Sequence, residues 1–236
     1  MVSEPLSAKN LPRNVVALGT VSLLMGISST MILALLPAFL VEILGASVLW
    51  VGTIEGIAES TASITKIFSG AISDWIGRRK PLVVLGYGLS ACAKIIFPLS
   101  ESVSQVLIAR VVDRIGKGVR DAPRDAFIAD ITSRAQRGSG FGLRHALFSL
   151  GAVLGPLLAI ALMTLTRDDF RFVYTIAVVP GFLALAVLVW RVDEMSTDYL
   201  PSRQKRRFEL RDLRRLSQAY WRHPERHRRK SPRNRW

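Results

Sequence analysis

Two long stretches without a single charge, Val15 to Val41 and Phe172 to Trp190, constrain this chain more than anything else in it. A helix rises 1.5 Å per residue, so about 20 apolar residues cross the hydrocarbon core of a bilayer. Both stretches reach that length, and neither alternates with the three-to-four-residue period of a helix lying on a soluble core. Half of the 236 residues are hydrophobic and are gathered into such runs. In lipid every backbone polar group needs an internal partner, which a helix supplies by itself. The expectation is therefore an all-α membrane protein. Lys9 and Arg13 precede the first run as they would in a signal peptide. That run exceeds the ~7–15 apolar residues of such a signal and no small-x-small site follows it, so it reads as a retained span. The sole cysteine, Cys92, lies in an apolar run, which leaves no disulfide framework and no thiolate metal spacing. No cofactor is expected.

The layout follows from charge. Five apolar segments are plain, whereas 103–130 opens apolar and becomes heavily charged from Arg110 onward. Basic segments beside spans face the cytoplasm. The cluster Arg78, Arg79, Lys80 follows the second span, and a basic tail follows the last. Both lie on one side only if an even number of crossings separates them, so 103–130 must cross as well. The predicted organisation is a cytoplasmic N-terminus over 1–14 and a six-helix transmembrane bundle over 15–192. Its spans run at about 15–41, 48–73, 80–99, 103–130, 140–165 and 170–192. A basic amphipathic cytoplasmic loop follows over 193–221, and a disordered basic tail over 222–236. Both termini are expected in the cytoplasm.

The formal charge of +14 belongs mostly to the end of the chain. Residues 201–236 hold 14 of the 32 Lys and Arg against only Glu209, Asp212 and Glu225. Such a run is compatible with nucleic acid, but beside a membrane the positive-inside bias explains it, and no nucleic-acid partner is expected. The last fifteen residues, RHPERHRRKSPRNRW, have no apolar face with which to offset ordering entropy. A frameshift or early stop in place of a seventh span is the expectation there.

Three motifs carry mechanism. GAISDWIGRRK places Gly70, Asp74, Gly77, Arg78, Arg79 and Lys80 at the end of the second span. Gly70 permits close helix approach, Asp74 can pair with an arginine or face a helix N-terminus, and Gly77 opens a tight turn. In the fourth span, Arg110, Asp113, Arg114, Lys117, Asp121 and Arg124 recur at intervals of three and four. That spacing collects them on one face. An intramembrane charge costs ~2.5–3.5 kcal/mol on the lenient insertion scale, so this face must meet water or partners. Glu55, Glu59 and Lys66 share a face of the second span and Lys94 lies in the third, which suggests a ring of buried ion pairs around a cavity. In the fifth span Gly151, Gly155 and Pro156 make a flat, bent packing face. His145 reads as an interfacial polar residue.

GAISDWIGRRK matches the G-x-x-x-D-x-x-G-R-R-K loop of the major facilitator superfamily. RVVDRIG, from Arg110, resembles that family's R-x-x-Q-G-x-G pattern, with Asp113 in place of Gln and Arg114 in place of the first Gly. G-x-x-x-G-P in span five resembles the motif of its proton-coupled antiporters. The chain is thus similar to a bacterial drug-proton antiporter-like member, over residues 15–220. The resemblance implies the N-domain of a secondary transporter with an inverted three-plus-three repeat, in the bacterial inner membrane. Transport would move a small solute by alternating access with protons, the Gly70–Lys80 loop latching the cytoplasmic gate. The substrate or proton path would hold Glu55, Glu59, Lys66, Lys94, Arg110, Asp113, Arg114 and Lys117. Relatives tend to carry an acid where this chain has Thr30. The expected partners are the lipid bilayer, a small solute with protons, and a separately encoded C-terminal half or a second copy, without which the chain is expected to be inactive. Two rivals come from other classes: a membrane-bound scaffold with a basic docking tail, and an intramembrane enzyme using Glu55 and Glu59 as acid and base. No nucleophile, metal or nucleotide-binding constellation supports the second.

Overall fold

The computed structural model describes residues 11–76 and 78–193. Gly77, the expected amphipathic loop from 194 onward and the tail expected to be disordered lie outside the described residues. The described chain forms α1 (Arg13–Ala38), α2 (Val48–Ile76), α3 (Lys80–Leu99), α4 (Val103–Ile131), α5 (Arg137–Thr166) and α6 (Phe170–Arg191). No strand occurs among the described residues. Each helix has at least the 20 residues of α3, enough to span a bilayer. Links of three to five residues join the later helices and nine residues join α1 to α2, so successive helices run antiparallel, although α2 packs on α4 rather than on α1 or α3.

Four helices, α1, α3, α5 and α6, are apolar enough to be recognised as spans by hydropathy alone. The others, α2 and α4, are diluted by charge, and they pack against each other. Local chemistry sets the ends. Pro37 lacks an amide proton, and α1 passes directly into a π-helical turn over Phe39–Ile43. There the Leu44 amide donates to the Phe39 carbonyl at 3.2 Å and the Ala46 amide to Leu40 at 2.8 Å. Gly45, with φ of 65°, supplies the left-handed residue that this ending requires. At the start of α6 the Asp169 carboxylate accepts from the Phe172 amide at 3.0 Å, an N-cap.

Between lipid-solvated helices burial provides no driving force, so close backbone approach and polar bonds hold the bundle. α1 packs on α5 and α6, α3 on α4 and α6, and α4 on α2. Gly151 and Gly155 of α5 lie on α1: a Cβ at Gly151 would stand 2.5 Å from the Leu23 carbonyl oxygen, and one at Gly155 2.8 Å from that of Ile27. Two apolar clusters cap the bundle. One gathers Phe39, Ile54, Phe97, Val106 and Tyr174; the other gathers Leu18, Val21, Val83, Tyr87, Phe127 and Leu188. In the first, Tyr174 meets Phe39 edge-on at 5.1 Å. Every helix that contributes to both clusters does so at opposite ends, and α3 and α4 place their charges between them. On the outside, α2 exposes Leu49, Ile67 and Trp75, and α5 exposes Val153, Leu157 and Leu165.

Candidate functional site

α4 is clamped between two neighbours by glycines two residues apart. Gly116 meets α3, where an added Cβ would lie 2.7 Å from the Gly86 carbonyl oxygen and 2.8 Å from the Ser90 amide. Gly118 meets α2, where it would lie 2.7 Å from the Ala62 carbonyl. This close approach brings the charges of three helices within bonding reach.

The first level joins α2, α3 and α4. Arg110, only 2% exposed, donates from Nε to Glu55 Oε1 at 2.9 Å and from Nη2 to Glu55 Oε2 at 2.7 Å. This is the two-pronged fork that matches a guanidinium to a carboxylate. Lys94, 1% exposed, donates from Nζ to Asp113 Oδ1 at 3.0 Å. The other oxygen of Asp113 lies 3.7 Å from Arg110 Nη1, so the two pairs form one four-residue network. Gly181 of α6 leaves room for it: a Cβ there would come 3.4 Å from Lys94 Cδ. One turn along α4, Glu59 takes Arg114 at 2.9 Å and Lys117 at 3.5 Å. Lys66 shares the helical face of Glu59 but is exposed and forms no ion pair among the described residues.

Beyond Lys117 the spacing argument identifies Asp121 and Arg124 but not Arg120, Asp125 or Arg144. Arg120 donates to Ser90 Oγ and, at 3.4 Å, to the Gly86 carbonyl, with its guanidinium carbon 4.5 Å from the Tyr87 ring centroid. Its acceptors are neutral, which no count of opposite charges would reveal. Arg124 holds Asp121 at 3.0 Å and Asp125 at 3.1 Å, and Arg144 of α5 approaches Asp125 at 3.9 Å. Among the described residues no group of three His, Cys, Asp or Glu could hold a metal. His145 is exposed.

At the end of α2, Arg79 bonds Asp74 at 2.6 Å and Ser73 Oγ at 2.6 Å, and reaches Asp130 of α4 at 3.5 Å. Arg78 is exposed. Of the two adjacent arginines, the second therefore ties the loop to α4. Lys80 Nζ donates to the Val189 carbonyl of α6 at 3.2 Å. Gly70 packs on Ala122 of α4 at ordinary contact distance. On α1, Thr30 donates to the Gly26 carbonyl at 2.8 Å and stands 3.3 Å from that of Gly151. A hydroxyl at this position satisfies the helix backbone beside the α5 glycines.

The family model of the Major Facilitator Superfamily matches residues 18–231. The chain belongs to this superfamily. Over 202 residues it is 35% identical to the uncharacterised MFS-type transporter MJ1317 of Methanocaldococcus jannaschii, covering 86% of this chain and 49% of the relative. It is 29% identical over 190 residues to the inner membrane transport protein YajR of Escherichia coli, covering 78% of this chain and 39% of that one. The superfamily chain thus spans about half the length of MJ1317 and less of YajR. Among solved structures it resembles the human organic anion transporter MFSD10 with a TM-score of 0.65 at 22% identity, over 77% of this chain and 47% of that one. It resembles the peptide transporter POT with a TM-score of 0.67 at 20% identity, over 75% and 37%. These likenesses, at such identities, show the fold alone, an all-α bundle of six helices, and the family match with the apolar helices makes it a multi-pass membrane protein. The family is one of membrane transporters.

Proposed function

We propose that this domain is one of the two rocking bundles of a secondary active transporter, which moves a small solute by alternating access coupled to protons across the cell membrane. One observation carries the reading. Charged side chains from α2, α3 and α4 meet midway between two apolar clusters, where a purely structural bundle would place hydrocarbon. Glu59 and Lys117 of this group are partly open to the outside of the bundle, while Arg110 and Lys94 are closed within it. Such a graded face suits a path on which a solute exchanges ion pairs with the protein. Alternating access needs a second bundle around a midplane site. A longer chain, a separate C-terminal half or a second copy would each supply it, and the exposed apolar faces of α2 and α5 are where it would close.

With both termini in the cytoplasm, Ser102→Cys and Ser139→Cys, each in a Cys92→Ser background, label from the outside and the inside respectively. Labelling of both from one side refutes the topology. In proteoliposomes with an imposed proton gradient, solute-driven proton movement should require co-expression with a C-terminal half. Arg110→Ala should abolish it and leave membrane insertion intact. Saturable, gradient-driven flux by the 236-residue chain alone would overturn the need for a second bundle.

A further inference from the structure

The charges of the candidate path do not cancel. At the closed level they do, because Glu55 answers Arg110 and Asp113 answers Lys94. At the next level one carboxylate, Glu59, serves two cations, Arg114 at 2.9 Å and Lys117 at 3.5 Å. Lys66, two turns along α2 on the same face, forms no ion pair among the described residues, and Asp121, the carboxylate whose charge it feels, is already bonded to Arg124 at 3.0 Å. The level toward Asp74 adds two carboxylates, Asp121 and Asp125, but Arg124 pairs with both and Arg144 approaches the second, so the surplus of cations remains.

Exposure and bonding show where an added anion would go. The Arg114 side chain is 9% exposed, and its Nε is buried without a hydrogen-bond acceptor. The Glu59 side chain is 52% exposed and that of Lys117 35%. An arginine fork offers parallel donors suited to a planar carboxylate, yet Glu59 approaches Arg114 at Nη1 and leaves Nε without an acceptor. A half-exposed carboxylate on a flexible side chain, shared between two cations, is readily displaced by a better-fitting one. Uncompensated cations within a span are costly, which adds to the attraction for an incoming anion.

We propose that the solute of this path is a small organic anion whose carboxylate binds between Arg114 and Lys117 by displacing Glu59, with Lys66 as the flanking cation. This rests on the transporter reading above and names its substrate class. Glu59 is then a tethered competitor, and removing its charge should open the site rather than destroy it.

The test uses the purified 236-residue chain in nanodiscs at fixed chloride concentration. Benzoate, its neutral isostere benzamide and the cation benzylamine serve as probes, and thermal stabilisation is read against probe concentration. Glu59→Gln should lower the half-saturating benzoate concentration about tenfold, the weight of one charge-assisted hydrogen bond, and leave benzamide unaffected. Lys117→Gln and Arg114→Gln, each combined with Glu59→Gln, should abolish the benzoate response. Far-UV circular dichroism verifies the helix content of each variant, and the partly exposed Lys117 provides the safer substitution if Arg114→Gln unfolds. Equal responses to benzoate and benzamide, a preference for benzylamine, or no benzoate response in Glu59→Gln overturns the anion proposal. None of these results bears on the transporter reading, which stands or falls by the cysteine labelling and proton-flux assays.

Discussion

The Lys94–Asp113 pair can be tested as a unit. Its side chains are 1% and 6% exposed and bonded at 3.0 Å, so neither charge reaches solvent. Removing one partner of such a buried pair strands the other and costs about 3–5 kcal/mol. Asp113→Asn should show most of that loss, because it deprives both Lys94 and Arg110, which lies 3.7 Å from the second carboxylate oxygen. The double variant Lys94→Met with Asp113→Leu removes both charges and leaves Arg110 forked to Glu55. It should be more stable than either single variant. The charge swap Lys94→Asp with Asp113→Lys should not restore stability, although it preserves the pair. A lysine at 113 would face Arg110, and at 3.7 Å that repulsion is about 4 kcal/mol for an effective dielectric of ~20.

Unfolding in mixed micelles, followed by far-UV ellipticity, yields the four corners of the cycle. Ordinary interhelical hydrogen bonds in membranes couple by about 0.6 kcal/mol and at most ~1.7. A coupling energy above that ceiling, together with failure of the swap, supports a buried network of Lys94, Asp113, Arg110 and Glu55. Additive single effects, or a swap as stable as the parent, would refute the network.

Three further outcomes are expected. Gly116→Ala should cost about 1–3 kcal/mol by the same unfolding assay, because the new methyl meets backbone atoms of Gly86 and Ser90, whereas Gly52→Ala meets nothing and should be neutral. Arg79→Gln should increase proteolysis or cysteine labelling near Gly70–Lys80 by releasing Asp74 and Asp130, and Arg78→Gln should not. Tyr87→Leu should weaken the bundle by about 1–2 kcal/mol, since Arg120 loses its ring contact in a desolvated site; an unchanged unfolding midpoint would dismiss the contact.

Sequence reasoning reached furthest where chemistry is periodic. The five apolar segments read from the sequence include α2, which a stricter limit on hydropathy and charge drops together with α4 because Glu55, Glu59, Lys66 and Asp74 interrupt it, while charge parity requires α4 to cross. Spacing also places Arg110, Arg114 and Lys117 on one face, because three-and-four intervals determine direction around a helix. Spacing cannot determine depth or distance to a neighbour. Glu55 and Lys66 share a face of α2, yet the first is forked to Arg110 and the second stands exposed. Gly118 lets α4 approach α2 at Ala62 and Thr65, next to Lys66, so closeness does not separate the two; what stands opposite does, because Glu55 meets Arg110 and Lys66 meets no ion-pair partner among the described residues. In the same way, Gly151 and Gly155 announce a close approach but not its partner, which is α1. Adjacent Arg78 and Arg79 are equivalent by composition, and the turn after α2 aims only the second at Asp74 and Asp130.

The same reasoning explains why the charges are gathered on α4. A helix placed between two neighbours by Gly116 on one side and Gly118 on the other can offer cations to both without turning them to lipid. Arg110 and Arg114 face carboxylates of α2, Asp113 faces Lys94 of α3, and Arg120 is held by Ser90 and Tyr87 of α3. Each bond across a glycine contact ties the position of one helix to the protonation or occupancy of a group on another. Displacing Glu59 from Arg114 and Lys117 would therefore loosen α2 from α4 at the level next to the closed network. That coupling gives a concrete expectation: with Glu59 retained and Cys92→Ser as background, anion binding should change the labelling rate of a cysteine at Ser63, one turn along α2, and leave one at Thr175 on α6 unchanged. Equal changes at both sites would mean a global effect on the bundle rather than a local exchange of ion pairs.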